Sequence, residues 1–420
     1  MQSYLTDVLA IVGALVMRAG FAVQSAGQVR SKNSAAAIAR HLADFCVAVL
    51  AFWAVGMAIQ FAGNRFLGLK PSLLVGWDGA ASTLAFPGVV GVLIATAIVP
   101  GVLAERARFW PSLWTGVALA AVVVPVSRAW TTATGFLGDM GIPDALGAIS
   151  FHWAGAVAAA VGAIFVGART GKFNRDGSST AIPGHSVPLA GAGLFLLVVG
   201  FVLFGVRAGG HTQLSLHTPN DAFRPAAAIV DLGGLAAAKS LLLAAAAGGL
   251  AAVIFSQLRY YKPDLQLTAA GVLGALVAAS AGGGALSSVG AVVTGALAGV
   301  LVPLAILVLD VRFRIDDPSG GIAVHGIGAA LGALTAPLLA QSGTVADRAK
   351  SLGAAALGLV LIGALAAGVS VLLWTLLRRT TPVRVKEHDE FDGLDLAEHD
   401  VGAYPDFQQN TIKSYHLREV

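Results

Sequence analysis

Charge is what this 420-residue chain has least of: 12% of its residues are Asp, Glu, Lys or Arg, against 56% hydrophobic. With a mean hydropathy of +0.77, that scarcity excludes a soluble globular domain of this size. A single cysteine, Cys46, excludes an internal disulfide and any cysteine-based metal site. No Rossmann or P-loop string occurs, so no cofactor is implied. The net charge of +4 is dispersed over short connections and lacks the clustered basic footprint of a nucleic-acid binder. No nucleophile or carboxylate set stands beside the few intramembrane polar residues, which argues against an enzyme.

What the chain does have is apolar sequence in long runs, near 4–26, 38–63, 84–104, 111–131, 147–168, 186–206, 226–256, 266–283, 286–310, 320–341 and 352–377. About 20 apolar residues cross the roughly 30 Å hydrocarbon layer as a helix. Lipid offers no partner to backbone N–H and C=O groups, and the runs lack the short alternation of a barrel, so the expected fold is all-α with eleven spans. Arg30, Lys32, Arg40, Arg106, Arg108, Arg169, Lys172, Arg175, Arg259, Lys262, Arg312, Arg314, Arg378 and Arg379 share one side of that arrangement. Arg65, Lys70, Arg348 and Lys350 fall on the other. The excess places the N-terminus outside and the C-terminus in the cytoplasm of a plasma (inner) membrane protein. The first run lacks a basic leader and is expected to be a mature transmembrane helix rather than a cleaved signal.

Composition changes near residue 379, dividing a membrane domain (1–378) from a polar tail (379–420) rich in acids between Glu387 and Asp400. From charge alone the tail reads as a solvated, disordered segment.

Two histidines break the apolar runs. His152 opens the fifth span and His325 the tenth, each followed by a Gly/Ala-rich helix. An ionisable side chain inside a span is costly and faces the protein interior or a path. Equivalent positions in spans 5 and 10 are the pattern of an inverted repeat, spans 1–5 and 6–10, followed by an eleventh helix. Small residues four apart let such helices approach closely. The bland alternative is a pair of satisfied packing histidines.

Four strings then resemble one family. QVRSKN (28–33), VLAERARF (102–109), RIDDPSGGIAVHGIGAALGALTA (314–336) and GLDLAEHDVGAYPDF (393–407) occur in the order found in the Amt/Mep/Rh ammonium transporters, bacterial Amt branch. The resemblance implies a trimer of eleven-helix protomers, each with its own pore for ammonium or ammonia. It puts the family's twin pore histidines on His152 and His325 and its vestibule aspartate on Asp144. It further implies that residues 387–407 dock on the cytoplasmic face and answer a PII-type regulatory partner. Two imidazoles in contact share one N–H and keep their other nitrogens for a passing molecule; both are expected to stay neutral at pH 7.

The chain departs from the family's pattern above the histidines. Where a gate phenylalanine is expected in span 3 stands Gly91, with Phe86 the nearest aromatic; its span-6 counterpart is Val206, followed by Arg207 for an asparagine, and Gly210 replaces the vestibule serine. Trp130 is the one expected survivor of the aromatic cage. Ring faces attract a cation by about 0.5–2 kcal/mol per contact, whereas a guanidinium about 10 Å away opposes it by roughly 1–2 kcal/mol. Arg18 and Arg128 are expected to add positive charge on the outer side unless they snorkel or pair with Asp139, Asp221 or Asp231. Lys239 reads as a structural partner of Asp231. Two functions stay open: an ammonium/ammonia transporter with an altered gate, or a non-conducting Amt-like sensor, regulator or conduit for another small solute.

Overall fold

The computed structural model describes residues 2–74, 79–206 and 232–404. Eleven helices among these residues are long and apolar enough to cross a membrane: Thr6–Gln28 (span 1), Ser31–Gln60 (span 2), Ala80–Val102 (span 3), Phe109–Asp139 (span 4), Ala148–Val166 (span 5), Val187–Gly205 (span 6), Gly234–Tyr260 (span 7), Leu265–Ala285 (span 8), Ser288–Val311 (span 9), Ile322–Leu339 (span 10) and Val345–Thr380 (span 11). The described residues contain no strand beyond isolated bridges. The protein is an all-α, multi-pass membrane protein.

Glycine explains how two halves of such a chain fit together. Gly13, Gly20 and Gly27 recur every seven residues on span 1, and a methyl group on any of them would strike span 6: Gly200 O at 2.8 Å, Gly193 O at 2.9 Å and Ser186 O at 2.6 Å respectively. The partners run backwards as span 1 runs forwards, so the two helices are antiparallel, as the inverted repeat requires. Spans 7, 8 and 9 meet the same way at Gly248, Gly271 and Gly299.

Spans 2 and 11 exceed their apolar runs. Span 2 starts at Ser31 because Asn33, Ser34, Arg40 and His41 are buried against the protein, not exposed to lipid. Span 11 has 36 residues, roughly 54 Å at 1.5 Å per residue, and projects beyond the bilayer into a capping box formed by Thr344 and Asp347.

The described part of the tail, through Tyr404, packs against the membrane domain. Val385 N donates to Arg106 O (3.1 Å) and Arg108 N to Val383 O (3.0 Å), a short antiparallel bridge that turns the chain across the protein. Helices Glu387–Asp392 and Leu394–His399 follow. Asp395 accepts N–H bonds from Ala35 (3.1 Å) and Ala36 (2.7 Å) at the start of span 2, and Asn33 Oδ1 accepts from Leu394 N (2.9 Å). Glu398 pairs with Arg40, and Glu390 accepts from Thr170 N (2.6 Å) while pairing with Arg384 (2.7 Å). Three of the acids that suggested a solvated tail, Glu390, Asp395 and Glu398, are thus caps and ion-pair partners on the tail face, while Glu387, Asp392 and Asp400 are exposed; residues 405–407 of the expected docking segment lie outside the described residues.

The tail face is clamped beneath this layer. Glu105, at φ 71, accepts from Arg30 N (2.6 Å) and pairs with Arg30 (2.8 Å) and Arg169 (3.3 Å), and Arg169 also pairs with Asp316 (2.8 Å). Burial pushes both carboxyls up, but the guanidiniums outweigh it: Glu105 lies below its ordinary range and Asp316 is held down to about 2.

Candidate functional site

His152 and His325 meet inside the protein, 0% and 2% exposed, with Nδ1 3.1 Å from Nδ1. Their rings are nearly parallel (7°), with centroids 5.0 Å apart. Phe201 of span 6 flanks His152 at 5.4 Å and Phe21 of span 1 flanks His325 at 5.5 Å. The two imidazoles therefore form a row bounded by rings from symmetry-related helices. His152 Nε2 has no hydrogen-bond partner among the described residues.

Each histidine rides on a widened π-type turn, Ala148–Trp153 and Ile322–Ile327. Asp144 Oδ1 accepts the N–H of Ile149 (2.7 Å) and Ser150 (3.3 Å) at the head of span 5. It satisfies donors that the helix cannot pair internally. Asp317, which the sequence reading did not single out, does the same for span 10: it accepts from Ile322 N (2.7 Å) and from Ser319 N (3.2 Å) and Oγ (3.0 Å). Burial pushes its carboxyl up. The signal was in the sequence, since 144 to 152 and 317 to 325 are both eight residues.

Above His152 the structure changes the reading of the gate. Gly91 lacks a side chain because the Phe151 ring occupies that space: a Cβ at Gly91 would lie 2.2 Å from Phe151 Cε1, and one at Gly147 would lie 2.0 Å from Cδ2. Phe204 stands 6.5 Å from Phe151, centroid to centroid. An aromatic pair therefore sits there, supplied by Phe151 and Phe204 rather than by positions 91 and 206. Val206 ends span 6 against Gly234, and Phe86 packs at the edge of the main core. Arg207 and Gly210 lie outside the described residues, as do Asp221 and Asp231.

Trp130 keeps aromatic company of a different kind. Its Nε1 donates to Phe66 O, and its ring meets Phe136 edge-on at 5.6 Å, while Phe136 stacks on Phe66 at 5.2 Å. The arginines are paired, though with other acids than expected. Arg18 is 6% exposed and bridges Asp44 (2.7 Å), Thr96 Oγ1 (3.0 Å) and the carbonyl of His41 (2.8 Å). It ties spans 1, 2 and 3 together and adds no free charge to an outer vestibule. Arg128 lies 3.6 Å from Asp144 and places its guanidinium 5.2 Å over the Phe151 ring. Asp139 instead pairs with Arg65, and Lys239 is exposed on span 7.

Eleven spans with antiparallel halves and a buried imidazole pair define a helical membrane protein with a polar site at the contact of its repeats. The model of the Ammonium Transporter Family matches residues 7–404. Ammonium transporter Amt2 of Haloferax mediterranei is 32% identical over 415 residues, covering 93% of this chain and 87% of that protein. Ammonium transporter Amt2 of Archaeoglobus fulgidus is 32% identical over 426 residues, covering 94% and 87%. Among solved structures, a "Sensor Amt Protein" superposes with a TM-score of 0.82 at 27% identity, over 94% of this chain and 98% of that one. Saccharomyces cerevisiae Mep2 shares the fold, with a TM-score of 0.77 at 19% identity over 92% and 87%. The chain belongs to the ammonium transporter family and is a transport protein, not an enzyme.

Proposed function

We propose that this protein passes ammonium-derived solute along a row formed by His152 and His325. The observation that carries this reading is the 3.1 Å Nδ1 contact together with the buried, unpartnered Nε2 of His152. One shared proton between the two Nδ1 atoms fixes opposite tautomers: one imidazole offers a bare Nε2 and the other an Nε2–H. Ammonia, both donor and acceptor, suits either end. Bare sodium or potassium finds no anionic oxygen there to replace its hydration shell, so dehydration is uncompensated.

Asp144 positions His152 by capping its helix, and Phe151 with Phe204 narrows the approach. The tail face carries most of the basic connections, which supports a cytoplasmic tail and an outside N-terminus in an inner membrane. In this reading residues 1–378 are the transport domain and 379–420 a regulatory tail. The docked segment 383–404 offers a surface for a PII-type partner, and a homotrimer is the assembly that goes with this reading.

A second reading is favoured by one observation. Arg128 occupies the face of Phe151, where an arriving cation would otherwise be attracted. That suits a protein that binds ammonium weakly or senses it without carrying current. The test is ammonium-evoked current in proteoliposomes. Current that potassium does not evoke and that His152→Ala abolishes supports conduction; its absence in folded wild-type protein supports the sensor.

A further inference from the structure

On the tail side of the imidazole pair lies a cavity of about 20 Å³, enough for one molecule the size of water. Its wall carries His325, Gln24, Ser25, Gln28, Ser319 and a third histidine, His41 of span 2. His41 is 3% exposed, and neither of its ring nitrogens has a hydrogen-bond partner among the described residues. A neutral imidazole carries one donor and one acceptor, and burying both unpaired is costly. A histidine kept only for packing has no reason to retain them.

The ring is also held in place. Arg18 donates to the His41 carbonyl at 2.8 Å and pairs with Asp44, one turn further along span 2, at 2.7 Å. The nearest full charges are therefore an ion pair pinning the backbone, and the imidazole is left to the cavity. Arg40, the preceding residue, is held by Glu398 of the tail.

Resting on the reading of His152 and His325 as the solute path, we propose that His41 is a third pore imidazole, binding one ammonia-sized hydrogen-bonding molecule between His325 and the tail face. Without His41 the pair would release its solute into a pocket whose remaining polar groups are the amides of Gln24 and Gln28 and the hydroxyls of Ser25 and Ser319. With His41 that pocket becomes a station at which the molecule exchanges one imidazole for another.

Two measurements on the full-length protein test this. In proteoliposomes, His41→Leu is expected to lower the ammonium-evoked current at least fivefold, while His41→Gln, which restores a donor and an acceptor, stays within twofold of wild type. Where wild-type protein carries current, equal currents in wild type and His41→Leu, or equal losses in Leu and Gln variants that fold normally, overturn the proposal. Because His41→Leu is at risk of misfolding, the second measurement uses wild-type protein with 15N-labelled histidine, the His41 ring signals being assigned with His41→Gln. Ammonium chloride, against equal potassium chloride, is expected to move them; ring signals indifferent to ammonium overturn the proposal. The two readings fail separately. A responsive His41 in a protein without current removes conduction and keeps the station, whereas a current abolished by His152→Ala beside a silent His41 removes the station alone.

Discussion

Asp144 and Asp317 stand in the same relation to the two halves of the protein. Each lies eight residues before its histidine and accepts the N–H five residues ahead, Ile149 at 2.7 Å and Ile322 at 2.7 Å. Each so fixes the start of a short helix whose first turns bring an imidazole to its partner. The carboxylates also sit at the positive ends of spans 5 and 10, where the helix dipole favours them.

If this capping is what places the imidazoles, losing it should cost both stability and geometry. Asp144→Ala and Asp317→Ala are each expected to destabilise by about 1–2 kcal/mol, the usual range for a lost N-cap. Asp144→Asn retains an acceptor of equal capping strength and should recover most of that loss. Thermal unfolding in detergent compares the three variants; an Asn as destabilising as Ala would show that the charge opposite Arg128, not the cap, is what matters.

Restoring a gate ring at position 91 looks sensible on the sequence and is excluded by the packing. A Cβ there already falls 2.2 Å from Phe151, so Gly91→Phe should fail to fold. Even Gly91→Ala should cost about 1–3 kcal/mol, as overpacking does. Combining Gly91→Ala with Phe151→Ala relieves the clash, and the pair should be less destabilised than the sum of its parts. Additive losses in unfolding free energy would mean that the two positions do not share this space.

The Arg169–Asp316 pair makes part of the tail-face clamp depend on pH. The Asp316 carboxyl is held down to about 2 from an ordinary 3.8, worth on the order of 2 kcal/mol at 1.36 kcal/mol per unit. A depressed carboxylate contributes fully above its unfolded value and loses that contribution as pH falls through its folded value. The stability gap between wild type and Asp316→Asn should therefore be constant above about pH 5 and shrink towards pH 2. A gap independent of pH over that range would assign the effect of the substitution to packing.

Local chemistry was readable and long-range contact was not. Apolar runs announced all eleven spans, because crossing lipid imposes length and hydropathy on each helix separately. His152 and His325 announced themselves as costly groups in apolar surroundings. Asp395 and Glu398 read as solvated because their partners, the amides of Ala35 and Ala36 and the guanidinium of Arg40, lie some 360 residues away in sequence. Arg18 and Asp44 could not be matched for a similar reason: span register, not spacing, brings them together. Gly91 looked like a missing ring because a ring filling its space from span 5 leaves no trace beside position 91. Asp317 was legible through its repeat of the Asp144 spacing, eight residues before a span histidine.

On the proposed path, Arg128 is the group expected to set how strongly the approach to His152 attracts a cation. Its guanidinium lies 5.2 Å over Phe151 and 3.6 Å from Asp144, so it uses both groups that would draw ammonium inward. Arg128→Gln keeps a polar side chain of similar length, frees the ring face and leaves the Asp144 carboxylate without this counter-ion. A ring face is worth about 0.5–2 kcal/mol to a cation, so the concentration giving half-maximal ammonium response should fall roughly two- to thirtyfold, with the maximal rate little changed. In a conducting protein, current against ammonium concentration measures this. In a non-conducting one, ammonium-dependent thermal stabilisation reads the same affinity through linkage. A half-maximal concentration unmoved by Arg128→Gln would mean that solute reaches the imidazoles without touching Phe151, and the approach would have to be sought elsewhere.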